Sequence, residues 1–149
     1  MAANFHATAL VLGDRGIMIR GPSGSGKTTL ALFLLERAVA GGRFAAMVGD
    51  DQVLIERVGD CPVARSPPAI AGLAERRGPG PLPIAAIAAA RIDGLVELVE
   101  PAAAPRLEDR PTATLEKMTI PCLRLARGDT LASALAVEAW RDNGFAPAS

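Results

Sequence analysis

Gly21-Pro22-Ser23-Gly24-Ser25-Gly26-Lys27-Thr28 is the stretch that decides the fold. It matches G-x-x-x-x-G-K-[ST], and each part of that pattern has a physical reason. Glycines let the backbone curl around a phosphate group with its N–H groups turned inward. The helix that follows begins at the loop, so its positive end faces the anion. Lys27 is placed to reach the β- and γ-phosphates of a nucleotide, and the Thr28 hydroxyl to ligate Mg2+. With Thr29, which follows directly, these residues form the expected ATP-binding set. The chain has 14 arginines and only two lysines, Lys27 and Lys117, which draws attention to a lysine inside a glycine-rich loop.

The motif requires a strand before it and a helix after it. Thr8 to Leu12 reads as an apolar strand, Gly13-Asp14-Arg15-Gly16 as a turn, and Ile17 to Arg20 as a second strand, a hairpin running into the loop. From Lys27 to about Ala40, Leu30, Phe33, Leu34 and Ala38 fall at helical spacing, and Gly41-Gly42 ends the helix. Phe44 to Val48 predicts a third strand, ending at Gly49-Asp50-Asp51, and Gln52 to Val58 a fourth. The middle is less regular. Ala69 to Ala74 fits a single helical turn, Glu75 to Pro81 a loop, and Ile84 to Ala90 either helix or strand. Leu95 to Val99 reads as a strand and Pro101 to Pro111 as a surface connection. Thr119 to Leu125 is a strand whose Pro121 suggests an edge position. Asp129 or Thr130 caps a last helix to about Asn143, with Leu131, Leu135, Ala139 and Trp140 on one side.

Composition narrows the function. The chain has 149 residues, 50% of them hydrophobic and 21% charged, which fits one globular domain over residues 1–149. Its 16 basic and 16 acidic side chains cancel, which excludes a strongly basic nucleic-acid binder. Cys61, Cys122 and the single histidine, His6, show no metal-ligand spacing. The cysteines read as reduced thiols in a cytoplasmic protein. The N-terminus lacks a basic leader and cleavage site. The longest apolar run, Pro81 to Ala90, is far short of the roughly 20 residues of a membrane span.

Asp50 and Asp51 follow an apolar strand, and ligands of α/β sheets bind at that end of the strands. Phosphotransfer from a nucleotide needs a carboxylate near Mg2+ and often another to take the proton of the attacking hydroxyl. Adjacent residues of a strand point opposite ways, so the two cannot do one job. The expectation is Asp50 as base and Asp51 at the metal or its water shell. Glu75, followed by Arg76 and Arg77, suits metal and phosphate contact. The plain alternatives are a solvated turn for the aspartates, a charged surface loop for Glu75 to Arg77, and surface roles for His6 and Arg91.

Taken in order, these pieces resemble the C-terminal catalytic domain of the bacterial HPr kinase/phosphorylase family. The resemblance spans about Phe5 to Phe145. It is carried by His6 before the hairpin, the phosphate loop, Val48-Gly49-Asp50-Asp51, Glu75-Arg76-Arg77-Gly78-Pro79-Gly80, and a closing strand and helix from Ile120 to Trp140. It implies an α/β fold: a P-loop-containing domain with a central mixed β-sheet, like that of HPr kinase and phosphoenolpyruvate carboxykinase. It also implies ATP- and Mg2+-dependent phosphorylation of a seryl hydroxyl on HPr, the phosphocarrier of the sugar phosphotransferase system, with reversal by phosphorolysis, in a homohexamer. By motif position Asp50 corresponds to the base, Asp51 and His6 to other catalytic residues, Lys27 to the loop lysine, and Thr28 and Glu75 to metal positions. The chain resembles the short α-proteobacterial form that lacks the N-terminal domain. Its stretch after Gly80 is shorter than in longer members, with Arg91 as the counterpart of the arginine that closes their loop. Two other functions fit the same residues, a kinase for another acceptor and a nucleotide-sensing module.

Overall fold

The computed structural model describes residues 2–66, 85–104 and 111–146. In chain order the strands are β1 (Ala3–Phe5), β2 (Ala7–Leu12) and β3 (Arg15–Arg20), followed by helix α1 (Lys27–Ala40). Then come β4 (Ala45–Gly49), β5 (Val53–Val58), β6 (Cys61–Arg65), β7 (Ala89–Arg91) and β8 (Gly94–Val99). After a 3-10 turn at Pro101–Ala103 follow β9 (Thr112–Leu115), β10 (Met118–Ala126) and helix α2 (Thr130–Asp142).

A six-stranded sheet in the order β4-β2-β3-β8-β10-β9 forms the centre, and a four-stranded sheet, β1-β5-β6-β7, packs beside it. The central sheet is mixed. β2 is antiparallel to both β3 and β4, β8 runs parallel to β3 and to β10, and β9 is antiparallel to β10. Alternation along the strands divides the core into two layers. Leu10, Ile17, Ile19 and Val96 face α1 and α2, meeting Leu30, Leu34, Val137 and Trp140. Ala9, Met18, Leu95 and Cys122 face the second sheet, meeting Val53, Ile55 and Ala64. No helix among the described residues is long and apolar enough to cross a membrane.

Residues 85–93 tie the sheets together. Met47 N–H donates to Ala85 O at 2.8 Å and Ile87 N–H to Met47 O at 3.0 Å, along the outer edge of β4. β7 then pairs with β6 in the second sheet. Finally Asp93 N–H donates to Gly16 O at 2.8 Å, while Asp93 Oδ2 accepts from Gly16 N–H at 2.9 Å.

Two expectations need correction. β10 is not an edge strand, since it lies between β8 and β9. Pro121 is tolerated because it sits where the partners change: its register partner is Thr112 of β9, and the parallel ladder with β8 begins only at Cys122. Helix α2 buries Ser133, Ala134, Val137 and Trp140, whereas Leu131, Leu135 and Ala139 are exposed. The stretch to Ala90, open to helix or strand by sequence, ends in strand β7, with Ile84 outside the described residues. The expected turn at Ala69–Ala74 and the loop at 75–81 also lie outside them. The cap of α2 is as expected: the Asp129 carboxylate accepts from Ala132 N–H at 3.0 Å.

Candidate functional site

Strand directions gather the site at one end of the central sheet. β3 runs into the loop at Gly21. β4 and β3 are both antiparallel to β2, so they point the same way, and Gly49-Asp50 arrives beside the loop. β2 starts at that end, which brings His6 and Thr8 there too. A single residue, His6, separates β1 of one sheet from β2 of the other, and it is exposed.

The loop has the geometry an anion needs. Gly24 and Gly26 have φ of 80° and 94°, and a methyl group on either would meet nothing within 4 Å. L residues adopt such a backbone at a cost, and glycine does not. Gly26 is the N-cap of α1. No side chain caps the helix and its first turn holds no acidic residue. Its first N–H groups are therefore left for a ligand, and the helix dipole favours a negative one. Lys27 is 5% exposed, and its Nζ donates to Gly21 O at 3.0 Å and Pro22 O at 3.2 Å, folded back over the loop it serves. Ser25 Oγ is buried and finds no hydrogen-bond partner among the described residues.

Among the described residues, the carboxylate hydrogen-bonded to this machinery is Asp50. Thr28 Oγ1 donates to Asp50 Oδ1 at 2.7 Å, and Thr8 Oγ1 donates to the same oxygen at 2.9 Å. A hydroxyl has one proton. Thr28 commits its proton to Asp50, which leaves its lone pairs for a cation. A hydroxyl oxygen backed by a carboxylate is the hard-oxygen donor set that Mg2+ takes together with substrate phosphates and water. Among the described residues no three or more His, Cys, Asp or Glu side chains gather into a metal cluster.

Asp51 departs from the strand geometry expected of it. Its φ is 64°, in the left-handed region, and it is exposed. A turn, rather than strand alternation, therefore separates the two aspartates. His6 makes no hydrogen bond with Asp50, and Thr29 is exposed on the first turn of α1. Glu75, Arg76 and Arg77 lie outside the described residues. The ends of the segment that contains them flank the site strand: Ser66 Oγ donates to Val48 O at 2.6 Å, and Ala85 O accepts from Met47 N–H. Arg91 lies at the other end of the sheet, paired with Asp93 at 3.2 Å and with its carbonyl against Gly16.

Two features escaped the sequence reading. Thr8 is fully buried, and a threonine in an apolar strand reads as an ordinary β-former. Glu97 on β8 takes Arg20 at 2.6 Å and Arg124 at 3.6 Å. This row of charges crosses three neighbouring strands from Arg20, the last residue before the loop, and only the parallel order β3-β8-β10 brings it together.

The fold and the loop define a phosphate-loop α/β protein whose loop is entered from an antiparallel hairpin and whose mixed sheet carries a second small sheet on the face opposite its helices. Among solved structures, this architecture is shared with the Hpr(Ser) kinase/phosphatase from Coxiella burnetii. The TM-score is 0.77 at 22% sequence identity, over 95% of this chain and 89% of that one. No family model and no curated protein matches the chain.

Proposed function

We propose that this chain is an ATP-dependent protein-serine kinase acting on HPr, the phosphocarrier of the sugar phosphotransferase system. Phosphorolysis of the product is the reverse reaction, and a homohexamer is the assembly. The observation that carries the reading is the 2.7 Å hydrogen bond from Thr28 to Asp50 at the mouth of the phosphate loop. It poises a hydroxyl and a carboxylate for a metal–nucleotide complex, in a fold shared with a protein of that name.

In this reading the amides of the loop and the first turn of α1 bind the triphosphate. Lys27 exchanges its contacts with Gly21 and Pro22 for phosphate oxygens and offsets charge on the transferring group. Thr28 and Asp50 hold the metal end, with Glu75 as a further donor. Mg2+, when bound, supplies charge stabilisation on the β- and γ-phosphates.

Asp51 is then the carboxylate left to take the proton of the seryl hydroxyl, returning it in the reverse direction. This exchanges the roles that residue order suggested: Asp50 Oδ1 accepts from both Thr28 and Thr8, which favours Asp50 at the metal end, and Asp51 is the more exposed of the two. The exposed His6 completes the rim facing the acceptor.

The test is phosphotransfer from ATP·Mg2+ to purified HPr, read by mass spectrometry. Asp51→Asn is expected to lower turnover by about 10²–10⁴-fold with ATP·Mg2+ affinity kept, the usual contribution of a general base. Asp50→Asn is expected to raise the Mg2+ requirement. Lys27→Met is expected to weaken ATP binding without unfolding the protein. No phosphoserine on HPr, with ATP still bound, would overturn the choice of acceptor. Turnover unaffected by Asp51→Asn would overturn its role as base.

A further inference from the structure

We propose that Thr8 is a positioning residue of the nucleotide site, and that it holds Asp50 to the sheet so that Thr28 stays oriented toward the metal. The inference rests on the reading above of the loop as a metal–nucleotide site. Three observations carry it. Thr8 has no exposed surface, yet it carries a hydroxyl in a strand whose other residues are all apolar. A buried hydroxyl is costly unless it is hydrogen-bonded. The partner here is Asp50 Oδ1 at 2.9 Å, the same oxygen that accepts from Thr28 at 2.7 Å.

The two donors come from different parts of the fold. Thr28 belongs to the first turn of α1 and so moves with the phosphate loop. Thr8 belongs to β2, which is paired on both sides, to β3 and to β4. Asp50 is thus anchored once to the ligand-binding loop and once to the sheet.

The anchor matters when the ligand arrives. A triphosphate places several negative charges beside the Asp50 carboxylate and repels it. Thr28 alone does not fix Asp50 to the sheet, because it belongs to the helix that follows the ligand-binding loop. The Thr8 hydroxyl donates a charge-assisted hydrogen bond, the stronger kind, and does not touch the ligand. Asp50 therefore stays where it can keep accepting the Thr28 proton, and the Thr28 lone pairs stay turned to the cation.

Thr8→Val removes the hydroxyl and keeps the shape; Thr8→Ser keeps the hydroxyl. ATP binding is measured by calorimetry for the full chain across a Mg2+ series and in EDTA. For Thr8→Val the Mg2+ concentration that gives half of the metal-dependent gain in ATP affinity is expected to rise about tenfold, the scale of one hydrogen bond to a charged group. Binding in EDTA is expected to be unchanged, and Thr8→Ser to lie within about twofold of the parent chain. An unchanged Mg2+ requirement in Thr8→Val overturns the inference. So does a loss that is equal with and without Mg2+, or one that Thr8→Ser shares, since either marks a packing role only. If the parent chain binds ATP with no Mg2+ dependence, the reading of the site itself fails, and this inference with it.

Discussion

Replacing Gly16 by Ala tests how the two sheets are joined. Gly16 is the second residue of β3, at the end away from the phosphate loop. A methyl group there falls far inside contact distance of the Arg91 carbonyl oxygen, which is backbone and cannot rotate away. The φ of Gly16 is not among the positive ones, so the cost is steric alone. The backbone at Arg91–Ile92 must retreat by more than about 1 Å to restore normal contact. That stretches both Gly16–Asp93 hydrogen bonds, now 2.8 and 2.9 Å, to nearly 4 Å, where they cease to bond. Overpacking of this kind costs roughly 1–3 kcal/mol, and two lost hydrogen bonds add about 1 kcal/mol each. The expected loss is about 3–5 kcal/mol, a midpoint shift on the order of 10 °C for a chain this long. Urea unfolding followed by Trp140 fluorescence measures it. Gly42→Ala is the control: its φ is +75° and no atom lies within 4 Å of the added methyl, so only backbone strain remains, about 1–2 kcal/mol. ATP affinity of the folded Gly16→Ala variant is expected to be unchanged, because the site is at the other end of the strand. A loss under about 1 kcal/mol would refute the idea that this contact fixes the sheets to each other.

Ser25→Ala removes a buried hydroxyl without a partner among the described residues; equilibrium unfolding is expected to show a gain of about 1 kcal/mol, the desolvation cost recovered. Trp140→Ala is expected to cost about 3–5 kcal/mol, since the indole packs in the helix-side core and edge-on against Phe145 at 4.8 Å. Leu135→Ser, on the exposed side of the same helix, is expected to stay within about 0.5 kcal/mol of the parent; the pair reports which face of α2 is buried.

The parts of the fold that were legible carry local signals. The hairpin, the loop and α1 announce themselves by turn chemistry and spacing, and α1 runs from Lys27 to Ala40 as expected. Strand β9 escapes a sequence reading because its turn to β10 is Glu116-Lys117. Both residues have positive φ, 47° and 66°, without the Asn or Gly that usually marks a two-residue hairpin. Strands β1 and β7 are three residues each, too short for any period. The face of α2 misleads because leucines outrank alanines in an apolar count, whereas the helix buries the smaller Ser133 and Ala134 instead, Ala134 in the helix-side core. In the site, the loop was legible as a contiguous motif. The Thr8–Asp50 contact joins residues 42 apart, and only the pairing of β2 with β4 brings them together.

Two site positions run against stability. Asp51 occupies a left-handed backbone that glycine adopts more cheaply, and the buried Ser25 hydroxyl has no hydrogen-bond partner among the described residues. A mutant library of this gene selected for heat resistance alone would therefore gather glycine at position 51 and alanine at position 25. Such selection would wear away the mouth of the phosphate loop while leaving the sheet intact. Heat-hardened descendants of this chain are thus expected to lose turnover first and shape last.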